Sequence, residues 1–361
     1  MNPIKTHVEQ PIFSISTPCI SIRKKLQEKI DHLSKPKGSL GMLENIALEI
    51  GYIQQTVHPT LQSPTHIIFG ADHGIEQEGV SFTPREVTWQ QMIHFTKGGG
   101  GVNIFCDQHH FNLKVVDTGV DYDFHPDLPI INRKTAYGTK NFLHKPAMSE
   151  KEMYQALWTG IEMVDNAHTE GCNVICFGEM GIANTSPSAI WMSILENIDL
   201  KECVGAGSGL CNAGITHKLQ VILQAVDNYK KSMTNTKDTW TIMRYFGGFE
   251  MVAAVGAMLH AAEKKMIIMI DGFIMSSCLL MAKHLHPAVM HYAICCHEGD
   301  EKGHKRLLQA LGKSPILHLG MRLGEGTGAL CAYPILQSAV KMINDMDSFD
   351  NGKVSDYIHN K

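Results

Sequence analysis

Short apolar runs recur along the chain, and each ends in glycine and polar residues. Residues 65–69 lead into Gly70-Ala71-Asp72-His73-Gly74, 113–116 into Asp117-Thr118-Gly119, and 173–177 into Gly178-Glu179. Residues 266–270 lead into Asp271-Gly272, and 289–294 towards His297-Glu298-Gly299. The runs are unbroken rather than alternating, which suits strands buried on both faces of a parallel sheet. Between them, residues 86–96, 151–168, 218–229 and 251–264 carry helical patterns. Strand–helix alternation of this kind predicts βαβ units and an α/β fold. Ligands of such sheets bind beyond the carboxyl ends of the strands, where Asp72, Asp117, Glu179 and Asp271 fall.

The two ends of the chain read differently. Residues 21–32 look helical, and 40–54 place Leu43, Ile46, Ala47 and Ile50 at helical spacing. Lys35-Pro36-Lys37-Gly38-Ser39-Leu40 enforces a break between them. Residues 334–346 are again helix-like. The expected organisation is a small helical domain of residues 1–60 and 305–361 beside an α/β domain of residues 61–304.

Composition narrows the function. Of 361 residues, 44% are hydrophobic and 19% charged, so a sizeable core is expected rather than disorder. A net charge of -4 gives no basic field for nucleic acid or an acidic membrane surface. Met1-Asn2-Pro3-Ile4-Lys5-Thr6-His7 lacks a secretory pattern, and Asp271-Gly272 interrupts the best apolar run. Ten cysteines without Cys-x-x-Cys spacing read as reduced thiols of a cytoplasmic protein. His284, His286, His291, Cys295, Cys296, His297 and His304 match no standard metal template, so no metal is expected; a His/Cys metal hydrolase is the outlying alternative.

Generic nucleotide motifs fail. Gly205-Ala206-Gly207-Ser208-Gly209 is not Gly-x-Gly-x-x-Gly, and Ile215-Thr216 follows Gly214 where a P-loop needs Lys-Ser/Thr. The glycines instead gather in short blocks, around 98–101, 178–181, 205–209 and 324–328 among others. Gly98-Gly99-Gly100-Gly101 could offer N–H groups to an anion or simply end a helix. Two blocks enclose carboxylates: Gly178-Glu179-Met180-Gly181 and Gly324-Glu325-Gly326. Read from the residues alone, each is a candidate base of raised pKa or a turn carboxylate.

Taken together, these blocks resemble the nicotinate-nucleotide–dimethylbenzimidazole phosphoribosyltransferase family. The resemblance runs in order through Lys35 to Glu44, Ala71-Asp72-His73-Gly74 to Gln90, Gly98 to Asn103, and Gly178 to Thr185. It continues through Gly247-Gly248-Phe249-Glu250, Asp271-Gly272-Phe273 and Arg322 to Ala329. It implies a Rossmann-like sheet with a small helical domain, a homodimer and no cofactor. It also implies conversion of nicotinate mononucleotide and 5,6-dimethylbenzimidazole to α-ribazole 5′-phosphate and nicotinate. Glu325 then matches the general base and Glu179 a second carboxylate at the reacting centre. Ser81, Phe82, Thr83 and Gln90 match the base pocket. Gly181, Asn184, Gly207, Lys218 and Arg322 match the phosphate and ribose contacts. Thr83, Ala206 and Gly299 stand where the family often has Tyr, Arg and Ser, which leaves the acceptor base open between benzimidazoles, adenine and phenols. A catalytically silent nucleotide- or base-binding protein is the alternative from another class.

Overall fold

A computed structural model describes residues 9–353. The stretch Met1–His7, and the ends of the expected helical domain at 1–8 and 354–361, lie outside the described residues. Two helices come first, α1 (Ser21–Asp31) and α2 (Met42–Gln54), followed by strand β1 (Thr65–Ala71). Then come α3 (Val87–Thr96), α4 (Gly101–Gln108), β2 (Asn112–Gly119), β3 (Ile130–Asn132), α5 (Glu150–Thr169) and β4 (Val174–Met180). The second half holds α6 (Thr185–Glu196), α7 (Leu200–Cys203), α8 (Asn212–Ser232), α9 (Thr239–Phe246), α10 (Phe249–Glu263) and β5 (Ile267–Ile270). It ends with α11 (Phe273–Leu285), β6 (Ala293–Cys295), α12 (His304–Leu311), α13 (Thr327–Asp345) and α14 (Phe349–Gly352).

All six strands pair in parallel, in the order β3-β2-β1-β4-β5-β6. The chain winds outward from β1 to β3, then returns to β4 on the other side of β1. The crevice between β1 and β4 is therefore the topological switch point, where sheets of this order bind ligands. β1 and β5 are buried at every residue, which explains their unbroken apolar runs. Helix α10 is buried along almost its whole length and crosses behind the sheet against α5. The helices lie that close because Gly160 of α5 faces the Ala253 carbonyl, where a Cβ would collide. Local chemistry starts the elements: Ser149 and Glu152 form a reciprocal capping box on α5, and Asp238 accepts the Thr241 N–H (2.7 Å) at α9.

The chain ends meet. α2 packs on both α1 and α13, and Leu33 bridges Ser348. Two expectations are corrected. The strand expected over 289–294 is a 3₁₀ turn, Pro287–His291, followed by the three-residue β6. Proline opens that turn, and an apolar run of this length does not distinguish strand from buried turn. The last long helix begins at Thr327, not at Pro334, which lies inside it. Among the described residues no helix is long and apolar enough to cross a membrane.

Candidate active site

A cavity of about 310 Å³ opens at the carboxyl ends of β4 and β5, a size suited to a small organic ligand. Glu179, Gly181, Asn184, Gly207, Arg322 and Glu325 all line it, as do Ser81 and Thr83. The expected residues therefore largely converge. Phe82 and Gln90 do not: Phe82 is 75% exposed between its two lining neighbours, and Gln90 is exposed on α3. Gln91 lines the cavity instead, together with Val87. Those two are one helical turn apart and share a face that Gln90 does not.

Glu325 sits in an unusual stretch of backbone. Gly324, Glu325 and Gly326 have φ values of 86°, 63° and 84°, so three successive residues are left-handed. A non-glycine residue there costs about 1–3 kcal/mol, and such strain persists only where surroundings enforce it. The Glu325 Oε2 accepts the Val102 N–H (3.3 Å) at the start of α4. The carboxylate is thus met by the residue that follows the Gly98–Gly101 block, not by the glycine N–H groups themselves. Burial raises the Glu325 pKa, the Val102 N–H opposes this, and the negative charge of Asp271 adds to it. Replacing Gly326 with alanine would drive a Cβ into the His66 ring at positive φ. Gly326→Ala is expected to lower stability by about 2–4 kcal/mol, read from denaturant unfolding.

Glu179 is 8% exposed, and its Oε2 accepts a hydrogen bond from Asn184 Nδ2. Burial pushes its pKa well above the ordinary carboxylate range. Asn184 works against that, while Glu250, Asp271 and Glu325 reinforce it. Gly324 packs so closely on Glu179 that a Cβ there would lie 2.7 Å from Oε1. The two carboxylate blocks are therefore in direct contact across the cavity wall.

Four positions at the rim carry chemistry that the strand-end pattern only partly revealed. Asp271 accepts the Ala329 N–H (3.0 Å) near the start of α13 and lies 3.1 Å from His297 Nε2. The two side chains form a buried ion pair. Burial disfavours both charges, yet their attraction prevails: Asp271 is lowered and His297 raised. Glu301 accepts the Gly207 N–H (3.2 Å to Oε2). Lys218, fully buried, donates to Thr185 Oγ1 (2.6 Å) behind the lining. Burial drops its pKa to about 8, with Glu301 pulling it back up.

By contrast, Asp72 and Asp117 serve the fold. Asp72 accepts the Asp121 N–H (2.8 Å), and Asp117 accepts the Gly119 and Val120 N–H groups and pairs with Lys134 at 3.0 Å. The histidine-rich segment also disperses: His284 goes to Glu196, His297 to Asp271, and His304 to Ser276.

Helices α6 and α11 begin with residues that line this cavity, and α13 starts two residues beyond Glu325, so partial positive helix ends lie at it. An anionic ligand can be held this way by a chain of net charge -4. This doubly wound chain, with two buried carboxylates in its cavity, matches over residues 15–354 a family model described as "Phosphoribosyltransferase". A protein of Bacteroides fragilis, named nicotinate-nucleotide–dimethylbenzimidazole phosphoribosyltransferase, is 54% identical over 96% of this chain and 99% of its own. One of the same name from Dechloromonas aromatica is 44% identical over 95% and 99%. The solved structure of CobT from Thermus thermophilus superposes with a TM-score of 0.88 at 33% identity, over 93% of this chain and 99% of that one. The chain belongs to the nicotinate-nucleotide–dimethylbenzimidazole phosphoribosyltransferase family.

Proposed function

We propose that this chain transfers the phosphoribosyl group of nicotinate mononucleotide to 5,6-dimethylbenzimidazole or a related base. The products are α-ribazole 5′-phosphate and nicotinate. The observation that carries the assignment of roles is the convergence of Glu179 and Glu325 on one cavity bordered by helix N-termini. One benzimidazole nitrogen attacks C1′ of the ribose as its bond to the nicotinate nitrogen breaks. The bonding pair returns to the nicotinate ring and cancels its positive charge. Glu325 takes the proton from the other benzimidazole nitrogen. Attack opposite the leaving group inverts β to α. Glu179 faces the positive charge that spreads over C1′ and the ring oxygen. Ser81, Thr83 and Gln91 border the flat base, and Gly181, Asn184, Arg322 and Lys218 with Thr185 hold ribose and phosphate.

The proposal extends to organisation. The terminal helices are its small domain, which carries Arg322 and Glu325 to the cavity edge from residues 305–361. All ten cysteines are free, as a reducing cytoplasm keeps them. Exposed Leu323 lines the cavity, Phe82 lies between lining residues Ser81 and Thr83, and with exposed Leu319 they supply apolar surface for a second copy in a homodimer. Nicotinate release, measured with nicotinate mononucleotide and a panel of benzimidazoles, adenine and phenols, tests the reaction. Base-dependent release is expected, greatest with a benzimidazole. Absence of nicotinate release with every base in the panel would point to a silent binding protein instead.

A further inference from the structure

In the left-handed Gly324-Glu325-Gly326 stretch the Gly324 carbonyl accepts the Thr327 N–H (3.1 Å) and the Gly326 carbonyl the Leu330 N–H (3.2 Å), whereas the carbonyl of the catalytic Glu325 takes its partner from another element. It is tied down from below. His66 of β1 and Cys176 of β4 are direct partners across the parallel ladder, so their side chains share one face of the sheet. His66 Nε2 lies 2.8 Å from the Glu325 carbonyl oxygen, and Cys176 Sγ makes a weak 3.9 Å contact to the Gly326 carbonyl. A carbonyl only accepts, so His66 carries its hydrogen on Nε2 and donates it. Room for this contact comes from Gly178, two residues beyond Cys176. A Cβ there would strike the Glu325 carbonyl and lie 2.8 Å from His66 Nε2.

We infer that His66 is a positioning residue for Glu325, holding the base in its left-handed conformation through the Nε2–H···O=C bond. The inference rests on Glu325 being the base. His66 is completely buried, and its Nδ1 has no partner among the described residues. Burial pushes its pKa down to about 4, against the opposing pull of the Glu325 carbonyl and Asp271, so the ring is a neutral donor at neutral pH. Two contacts then fix the carboxylate: His66 sets the backbone, and the Val102 N–H meets Oε2. Loss of the first loosens the second.

Steady-state kinetics of His66→Leu, His66→Gln and His66→Asn, each checked for folding by circular dichroism, test this. The Gln amide N–H can reach the position of Nε2, whereas that of Asn stops near Nδ1. His66→Leu is expected to lower kcat ~10-fold, with the KM for nicotinate mononucleotide within ~2-fold, as for a base moved by a fraction of an ångström. Its acid limb should move to higher pH, because the Val102 N–H that lowers the Glu325 pKa is less well aligned. Gln should restore most of kcat, and Asn should not. Should the Leu variant not fold, the Gln–Asn difference decides. Equal kcat in Gln and Asn variants, or a folded Leu variant with unchanged kcat and pH profile, overturns the role of His66. If Glu325→Gln meanwhile loses turnover, the base assignment stands without it.

Discussion

Glu325→Gln is expected to reduce turnover by ~100-fold or more while leaving the fold and the nucleotide KM nearly unchanged, the usual scale for losing a general base. The substitution is close to isosteric. The amide oxygen can still accept the Val102 N–H, so the left-handed loop keeps its tether. What disappears is the proton acceptor for the attacking base. The pH profile gives a second reading. Burial and the nearby Asp271 raise the Glu325 pKa despite the Val102 N–H. The carboxylate is the active form, so wild-type activity should rise with pH through a limb above the ordinary carboxylate range. The variant should lack that limb. Near-normal turnover in Glu325→Gln, measured as nicotinate released per enzyme per second, would remove Glu325 from the base role.

The sheet was legible because burial on both faces leaves a mark that periodicity detects. Strands β1, β2, β4 and β5 overlap the apolar runs that announce them. β3 was not, since its three residues are partly exposed at the sheet edge and carry no run of their own. α11 hides for the opposite reason: strand β5 and helix α11 fuse into one apolar stretch, and only Asp271-Gly272 separates them. Side-chain direction was the weaker half of the site. Glycine-flanked carboxylates can be found in a sequence, but whether Gln90 or Gln91 faces the ligand depends on helix phase, which one residue rotates by about 100°. The partners Asp271–His297 and Gly207–Glu301 lie 26 and 94 residues apart. No local pattern reports such pairs. Lys218 shows the same limit, because a lone lysine reads as solvated surface, yet here it is buried against Thr185.

Glu179→Gln is expected to cut turnover by ~100-fold and to abolish a proton release that accompanies nucleotide binding in the wild type, a loss on the scale of removing one preorganised electrostatic group. In the free protein, burial and three neighbouring carboxylates push the Glu179 pKa well above the ordinary carboxylate range, against the pull of Asn184. Nicotinate mononucleotide brings a quaternary ring nitrogen to C1′. A positive charge beside a buried carboxyl favours its ionised form, so the pKa falls on binding and the proton leaves. The complex thus holds fewer protons than the free partners, and by linkage wild-type affinity must increase as pH rises between the bound and free pKa values. The substrate phosphate also titrates, near pH ~6, but it does so in both proteins. The difference between wild type and Glu179→Gln isolates the carboxyl. Calorimetry in two buffers of unlike ionisation enthalpy reads it directly. Equal proton exchange in the two proteins would show Glu179 already ionised before substrate arrives. It would then serve as a fixed counter-charge throughout, rather than one that the cationic nucleotide switches on as it enters.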